Sequence, residues 1–538
     1  MKMMQHSKEQ LNKMSQEELI NEVLELQKIS NALLETIESN KRKMYGKKSE
    51  QIPDGQLSLF NEIEDIAAET ETVEVKGYTK NKKKKTGPNI HDNLEGLEVK
   101  ETVVHSIEEA VCPECGSTME KIGTEVKYEV VYKPAELYKV KHVFDVYKCS
   151  RCYSEDDTFE AVTAEDGKIN RVIKGSEVGA SVISGIIYNK FVMDVPLYRQ
   201  EKDYLRKGIQ LSRQTMSNWA IKCSDAYLER VYQKMKEDLN ELKIVNADET
   251  TLKVIEEHDR EKSYMWLVMS GKYEEKQMAI YHYNHSREYS TLGDIIGPDK
   301  TRYIHSDGYG AYKNDEYGKD VACMAHIRRK FYDALTSNPL HGYMTGIKDP
   351  IMFNKALRDN PGYGNIWEVI RLIDQLYIIE KKFAGKTSEE IYEIKQAESK
   401  AALVKLYEKI TSLSSAYQTK GKMGTAINYA LERKPYMENY LLDGRLELDN
   451  NRAERQIKPF VIGRKNWLFS NTNKGAKVSS IYYSLVESAK MNELDPFEYM
   501  TYLLEELSGK EYSDERIENI LPYSDKLPER LYVKSHNK

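Results

Sequence analysis

The sequence predicts a multidomain α/β chain, and three observations carry that prediction. Two Cys-x-x-Cys pairs bracket a β-patterned stretch. Three successive apolar, strand-like runs follow mid-chain, the first with an aspartate. Long segments elsewhere repeat apolar residues at three- and four-residue steps. At 538 residues the chain far exceeds one ordinary domain, so several units are expected.

Composition narrows the class. With 40% hydrophobic and 31% charged residues, the chain suits a soluble globular protein with extended polar helices. No apolar run approaches a membrane span, and the start MKMMQHSKEQ lacks an apolar signal core, so a cytoplasmic protein without a membrane partner is expected. The net charge of −6, from 80 basic and 86 acidic residues, does not by itself favour nucleic acid. Binding follows local potential, however, and charge is segregated here. Lys76, Lys80 and Lys82 to Lys85 precede the next acid, Asp92, and Arg452 to Lys477 holds seven basic residues and one acid.

The elements follow in order. Residues 1–48 carry Leu19, Val23, Leu26, Leu33, Ile37 and Met44 at alternating four- and three-residue steps, with Ser30 and Asn40 at two polar seam positions. This pattern fits a coiled coil and hence a homodimer or higher oligomer, or else one amphipathic helix packed on its own chain. Residues 49–95 read as a linker whose lysine run is either solvated or a DNA-grazing arm. In residues 96–170, Cys112 and Cys115 are separated from Cys149 and Cys152 by alternating residues that include Tyr128, Val130, Tyr132 and Val140. Two residues between cysteines let both thiolates reach one ion, so a zinc ribbon is expected. Four thiolates leave no open position, which makes that Zn²⁺ structural.

Residues 171–238 are helical in pattern. Leu211 to Trp219 resembles the turn and second helix of a helix-turn-helix, with Ser212 as N-cap and Arg213, Gln214, Ser217 and Asn218 facing DNA. The same pattern also fits an ordinary three-helix domain with Trp219 in its core.

Residues 239–335 and 440–500 are expected to form a ribonuclease-H-like core. Strand-like runs at 242–250, 264–269 and 277–283 suit the antiparallel start of such a sheet, and 303–312 is a fourth run into an aspartate. Asp248 and Asp307 thus end buried strands, where a carboxylate is costly unless paired or holding a metal. Each alone is also what a strand-end turn looks like. Glu249 points to the opposite face from Asp248 by strand alternation. A capped helix, starting at Asn450 or Asn451, carries Glu454 as a third acid. Its neighbours Arg452, Arg455, Lys458, Arg464 and Lys465 supply phosphate contacts, although this segment alone also reads as a charged surface helix. Asp307 and Glu454 lie 147 residues apart, and 336–439 reads as an α-helical insertion between them. Residues 501–538 read as a C-terminal tail.

The strings NADET, HSDGYGAY, CMAHIRRKF and DNNRAERQIKPFVIGRKNWLFS resemble the DDE transposases of the insertion sequence 66 (IS-66) family. The upstream order resembles that family too: a zipper-like start, YGKKSEQ, a zinc module, and a helical module with VPLYRQE. The resemblance implies a catalytic triad of Asp248, Asp307 and Glu454 using Mg²⁺ or Mn²⁺. It also implies double-stranded DNA (element ends and target) as partner, possible accessory proteins of the same element, and a nucleoid-associated location. Such families often carry a CxxH between the second and third acids, which puts His326 near the site; a packed role for both Cys323 and His326 is the other reading. The alternatives are a non-enzymatic, zinc-containing DNA-binding regulator and a structure-specific nuclease that cuts without joining.

Overall fold

The computed structural model describes residues 137–143, 146–147, 162–163, 171–258, 262–313, 316–417, 421–509 and 513–533, besides Ser15. The expected coiled coil and linker, and Cys112, Cys115, Cys149 and Cys152, lie outside these residues. The chain divides into two compact units. In the smaller, β1 (Val146–Tyr147) pairs antiparallel with β2 (Val162–Thr163). Everything below concerns the larger unit.

It opens with α1 (Ala180–Phe191), α2 (Leu197–Arg206) and α3 (Arg213–Cys223). Ser212 caps α3 as the sequence predicts, its hydroxyl accepting from Thr215 N at 3.1 Å. Met216, Leu211, Tyr204 and Ile186 form a small core among these helices, with Trp219 half-buried against it. A π-helical turn (Ser224–Leu228) leads into α4 (Glu229–Glu241). Phe191, Cys223, Leu228, Met235 and Leu239 belong to the same hydrophobic core as the sheet that follows. The helices of 171–238 and the sheet therefore share one interior, where two separate domains were expected.

The sheet has five strands: β3 (Ile244–Leu252), β4 (Ser263–Ser270), β5 (Ala279–Asn284), β6 (Tyr303–Ser306) and β7 (Lys319–Ala322), with the short helix α5 (Ser290–Gly293) between β5 and β6. Their order is β5-β4-β3-β6-β7, antiparallel from β5 to β3 and parallel from β3 to β7. Trp266, Leu267 and Val268 of β4 are all fully buried, which explains the unbroken apolar run in the sequence. Burying each such side chain contributes about 1.5–3 kcal/mol.

After β7 come α6 (Met324–Thr336), α7 (His341–Gly346), α8 (Pro350–Asp359), α9 (Pro361–Glu380), α10 (Ser388–Ile394), α11 (Lys400–Ser414) and α12 (Lys422–Glu438). All but α10 contribute to a second core built on Phe331, Ile370, Ile373, Leu406, Ile410 and Ile427, into which β7 also contributes Val321, while Ile391 of α10 packs in a small cluster with Ile379 and Phe383. The chain then returns through α13 (Asn451–Trp467), α14 (Asn473–Met491), α15 (Pro496–Leu507) and α16 (Asp514–Asn519).

Two packing details matter for the site. Helix α14 covers the edge of β5: Ser488 and Ser484 hydroxyls accept from the backbone N–H of Ala279 (2.9 Å) and Tyr281 (2.8 Å). That satisfies donors which an open edge strand would expose. The second detail concerns the chain end. Leu503, Leu504 and Leu507 of α15, with Ile517, Leu521 and Leu531, are core residues of the sheet unit. Position 501 falls inside α15, so the segment the sequence reads as a tail from 501 contributes side chains to the interior as far as Leu531. Among the described residues no helix is long and apolar enough to cross a membrane.

Candidate active site

Asp248 lies inside β3 rather than at its end, because antiparallel pairing with β4 continues to Leu252. On the other flank, parallel pairing with β6 stops at Asn246–His305. Two residues beyond that pair come Asp248, still in β3, and Asp307, just past the end of β6. The sheet therefore opens between β3 and β6 where the two aspartates stand. The Asp307 carboxylate accepts from Tyr309 N at 2.8 Å, closing a tight turn. Gly308 in that turn has φ of +90°, a conformation glycine adopts freely. A Cβ there would stand 2.8 Å from Arg433 Nε. From α12, Tyr429 OH donates to the Asp307 carbonyl (2.8 Å), and buried Arg433 bonds Asp320 of β7 at 2.6 Å.

Glu454 reaches this point through an anchored loop. Lys395, buried between α10 and α11, donates from Nζ to the carbonyls of Asp443 (2.9 Å) and Leu446 (2.6 Å). The next carbonyls are held in turn: Glu447 O lies 2.7 Å from His305 Nε2, and Leu448 O accepts from Met324 N at 3.1 Å. Asn450 is the N-cap residue of α13, yet its side chain makes no cap bond. It turns to β3 instead, accepting from Asn246 Nδ2 (2.9 Å) and donating to the Ala247 carbonyl (2.8 Å). Asn246 and Asp248 share a face of β3 by alternation, so this anchoring sets the first turn of α13, with Glu454, beside Asp248.

The electrostatics report the convergence. Burial, then the neighbouring carboxylates Glu249, Asp307 and Glu454, push the Asp248 carboxyl well above the usual range. Glu249 faces away as alternation requires and is spent on structure, accepting from Arg287 Nε (2.9 Å) and Tyr312 OH (2.5 Å). Glu454 Oε2 lies 3.4 Å from Arg329, and Oε1 lies 3.6 Å from His326 Nδ1; Oε1 and Nδ1 are buried without a hydrogen-bond partner. A buried carboxylate oxygen without a hydrogen-bond partner is one that a bound cation would satisfy. Three acids of this kind offer the oxygen ligands that a hard divalent cation takes.

His326 therefore sits at the third acid. Cys323 is buried at the start of α6, where its Sγ accepts from Asn450 N at 3.1 Å. Asn246, Arg329, Tyr429 and Arg433 also support the acids. Asn246 and Arg329 left a trace in sequence, inside the strings NADET and CMAHIRRKF, whereas Tyr429 and Arg433 left none.

The basic residues divide. Arg455, Lys458 and Lys465 are exposed on α13. Arg452 instead bonds Gln277 (3.0 Å) and pairs with Glu447 (3.5 Å), and Arg464 donates to the Thr250 hydroxyl (3.1 Å). On α3, Arg213, Gln214 and Asn218 are exposed, and Ser217 is half-buried.

Residues 175–478, which hold all three acids, match the Transposase IS66 family. The chain belongs to that family. Three further segments agree: residues 109–153 match the zinc-finger binding domain of transposase IS66, 484–523 the IS66 C-terminal element, and 32–102 the Transposase C of IS166 homeodomain. The IS66 chain is similar to two uncharacterized proteins of Sinorhizobium fredii (strain NBRC 101917 / NGR234). With y4qI it shares 28% identity over 361 residues, covering 64% of this chain and 62% of that protein. With y4jD it shares 23% over 438 residues, covering 78% and 79%. As an IS66-family chain it carries a transposase region of the DDE type and zinc-finger and leucine-zipper-type modules.

Proposed function

We propose that this chain is a DNA transposase that cuts the ends of an insertion sequence and joins the freed 3′ ends to target DNA by metal-dependent phosphoryl transfer. The observation that carries the reading is geometric: Asp248 and Asp307 stand just beyond the last β3–β6 pair, and Asn450 ties the start of the Glu454 helix to β3. The sheet order, three antiparallel strands and then two parallel ones, supports a ribonuclease-H-like core. Divalent ions bound there would supply an activated water and stabilise the leaving oxygen. The three carboxylates would hold them, Asp248 and Asp307 from the sheet and Glu454 from α13.

The chain's own residues do the positioning. The Asn450 bonds and the Asp307 turn fix the acids before DNA arrives, as preorganised catalysis requires. Arg455, Lys458 and Lys465 offer exposed cations for phosphates. Arg213, Gln214, Ser217 and Asn218 on α3 form the candidate reading face for double-stranded DNA. Arg452 and Arg464 act on the fold before they act on DNA. Structural Zn²⁺ on Cys112, Cys115, Cys149 and Cys152, homodimerisation through residues 1–48, and work at the nucleoid with accessory proteins of the same element complete the reading.

The test is a Mg²⁺-dependent cleavage and strand-transfer assay on element ends with Asp248→Asn, Asp307→Asn and Glu454→Gln. Each variant is expected to bind ends and neither cut nor join. A variant that still joins strands removes its residue from the triad. Binding without any cleavage by the unaltered protein favours a non-enzymatic regulator, and cutting without joining favours a nuclease.

A further inference from the structure

We propose that Cys323, His326 and Glu454 form a second cation site, for a thiophilic divalent ion of the zinc type, whose occupancy withdraws Glu454 from the acid set. The site stands on the geometry of three side chains. Only its consequence for DNA cleavage rests on the reading of Glu454 as the third acid.

Cys323 precedes α6 and His326 lies three residues on, so one helical turn presents both beside the first turn of α13. Among the described residues, these two and Glu454 are the Cys, His and acidic group whose ligand atoms all lie within 4.8 Å of one another. Asp248 and Asp307 are not in it. A tetrahedral ion with bonds of about 2.0–2.3 Å sets its ligand atoms roughly 3.3–3.7 Å apart. Closing the group therefore takes side-chain movements of about an ångström. Arg329 lies at Glu454 Oε2, while Oε1 stands 3.6 Å from His326 Nδ1, and Oε1 and Nδ1 are buried without hydrogen-bond partners. Oε1 and Nδ1 thus face each other without a hydrogen bond, and Arg329 Nη1 lies 3.5 Å from His326 Nε2, a contact that an ion on Nδ1 would replace.

The donor set selects the ion. A thiolate and an imidazole favour zinc-type ions, whereas Mg²⁺ takes oxygen ligands. Binding exchanges the Cys323 S–H proton, released to solvent, for a sulfur–metal bond. The sulfur keeps its acceptor role toward Asn450 N, 3.1 Å away. Three protein ligands leave one position for water. Glu454, once bound here, is no longer available to an ion shared with Asp248 and Asp307.

The experiment uses the full-length protein with its zinc-finger module loaded with zinc. Co²⁺ is titrated in and thiolate-to-cobalt absorbance is recorded for wild type and Cys323→Ser. One additional equivalent with a charge-transfer band is expected in wild type and not in Cys323→Ser. His326→Ala, checked for folding by circular dichroism, should weaken it roughly tenfold or more. Identical titrations for wild type and both variants overturn the site. In cleavage assays at fixed Mg²⁺, micromolar Zn²⁺ should slow wild type and spare Cys323→Ser, each relative to its own zinc-free rate. Equal inhibition of the two overturns the withdrawal of Glu454. A cobalt band that depends on Cys323, together with full cleavage by Glu454→Gln, would keep the cation site and dismiss Glu454 as the third acid.

Discussion

Asn246 Nδ2 donates to Asn450 Oδ1 at 2.9 Å, so the strand of Asp248 is tied directly to the helix of Glu454. Both asparagines are fully buried, and Asn450 also donates to the Ala247 carbonyl. Asn450→Ala strands the Asn246 amide and that carbonyl, at about 1–3 kcal/mol for each buried group. We expect a lower denaturation midpoint and a drop in end cleavage larger than the lost folded fraction explains. Paired denaturation and cleavage measurements check this. Wild-type cleavage in a destabilised variant would show that this contact does not position Glu454.

The Asp307 turn makes a second prediction. Gly308→Ala places a methyl at φ +90° and 2.8 Å from Arg433 Nε, so either the turn or Arg433 must move. Backbone strain of this kind costs about 1–3 kcal/mol. Metal-dependent cleavage is expected to fall sharply while binding to element ends persists, measured by gel shift and cleavage on one substrate. Undiminished cleavage would separate the turn from the chemistry.

How much of this was legible in the sequence depends on where each interaction is encoded. Strands β3 to β6 announce themselves because their apolar runs are local. Asp248 and Asp307 stand out as acids embedded in them. Strand β7, Lys319–Ala322, gives four residues of pattern only, and its register beside β6 is a tertiary fact. Glu454 looks like surface charge from its helix alone, because what aims it is Asn450 meeting a strand some two hundred residues earlier. The inward turn of Arg452 and Arg464 is equally invisible, since their partners Gln277 and Thr250 are distant in sequence. The shared core of α1 to α4 and the sheet is hidden for a related reason: an amphipathic helix shows that it has a buried face, not which element covers it.

Stability should also carry a histidine signature. Burial, and then Lys236, lower the His282 pKa to about 4. In the unfolded chain it titrates near 6.5, so as pH falls the unfolded state takes up the proton first. Its contribution is therefore full above pH 6.5 and is lost as pH falls toward 4, with an upper limit of about 3 kcal/mol. His282→Gln should flatten the fall in stability across that window by one proton, read from denaturation curves at several pH values. The raised carboxyls titrate alike in both proteins and drop out of the comparison. Parallel pH profiles would mean that His282 is protonated in the fold.

The Arg433–Asp320 pair separates stability from site geometry. Its charges are 1% and 0% exposed at 2.6 Å, and Ser306 adds a bond to Asp320 at 2.8 Å. Arg433→Met leaves Asp320 buried without its cation, which costs about 3–5 kcal/mol. Replacing both charges, as in Arg433→Met with Asp320→Leu, should restore most of that stability, because apolar groups of similar volume avoid the desolvation of two ions. It does not restore the guanidinium that packs on Gly308 beside Asp307. The double variant is therefore expected to fold almost as stably as wild type and to cleave poorly, by chemical denaturation and end cleavage respectively. Should it cleave at the wild-type rate, Arg433 serves the fold alone and Tyr429 is left as the contact from α12 that holds the second acid.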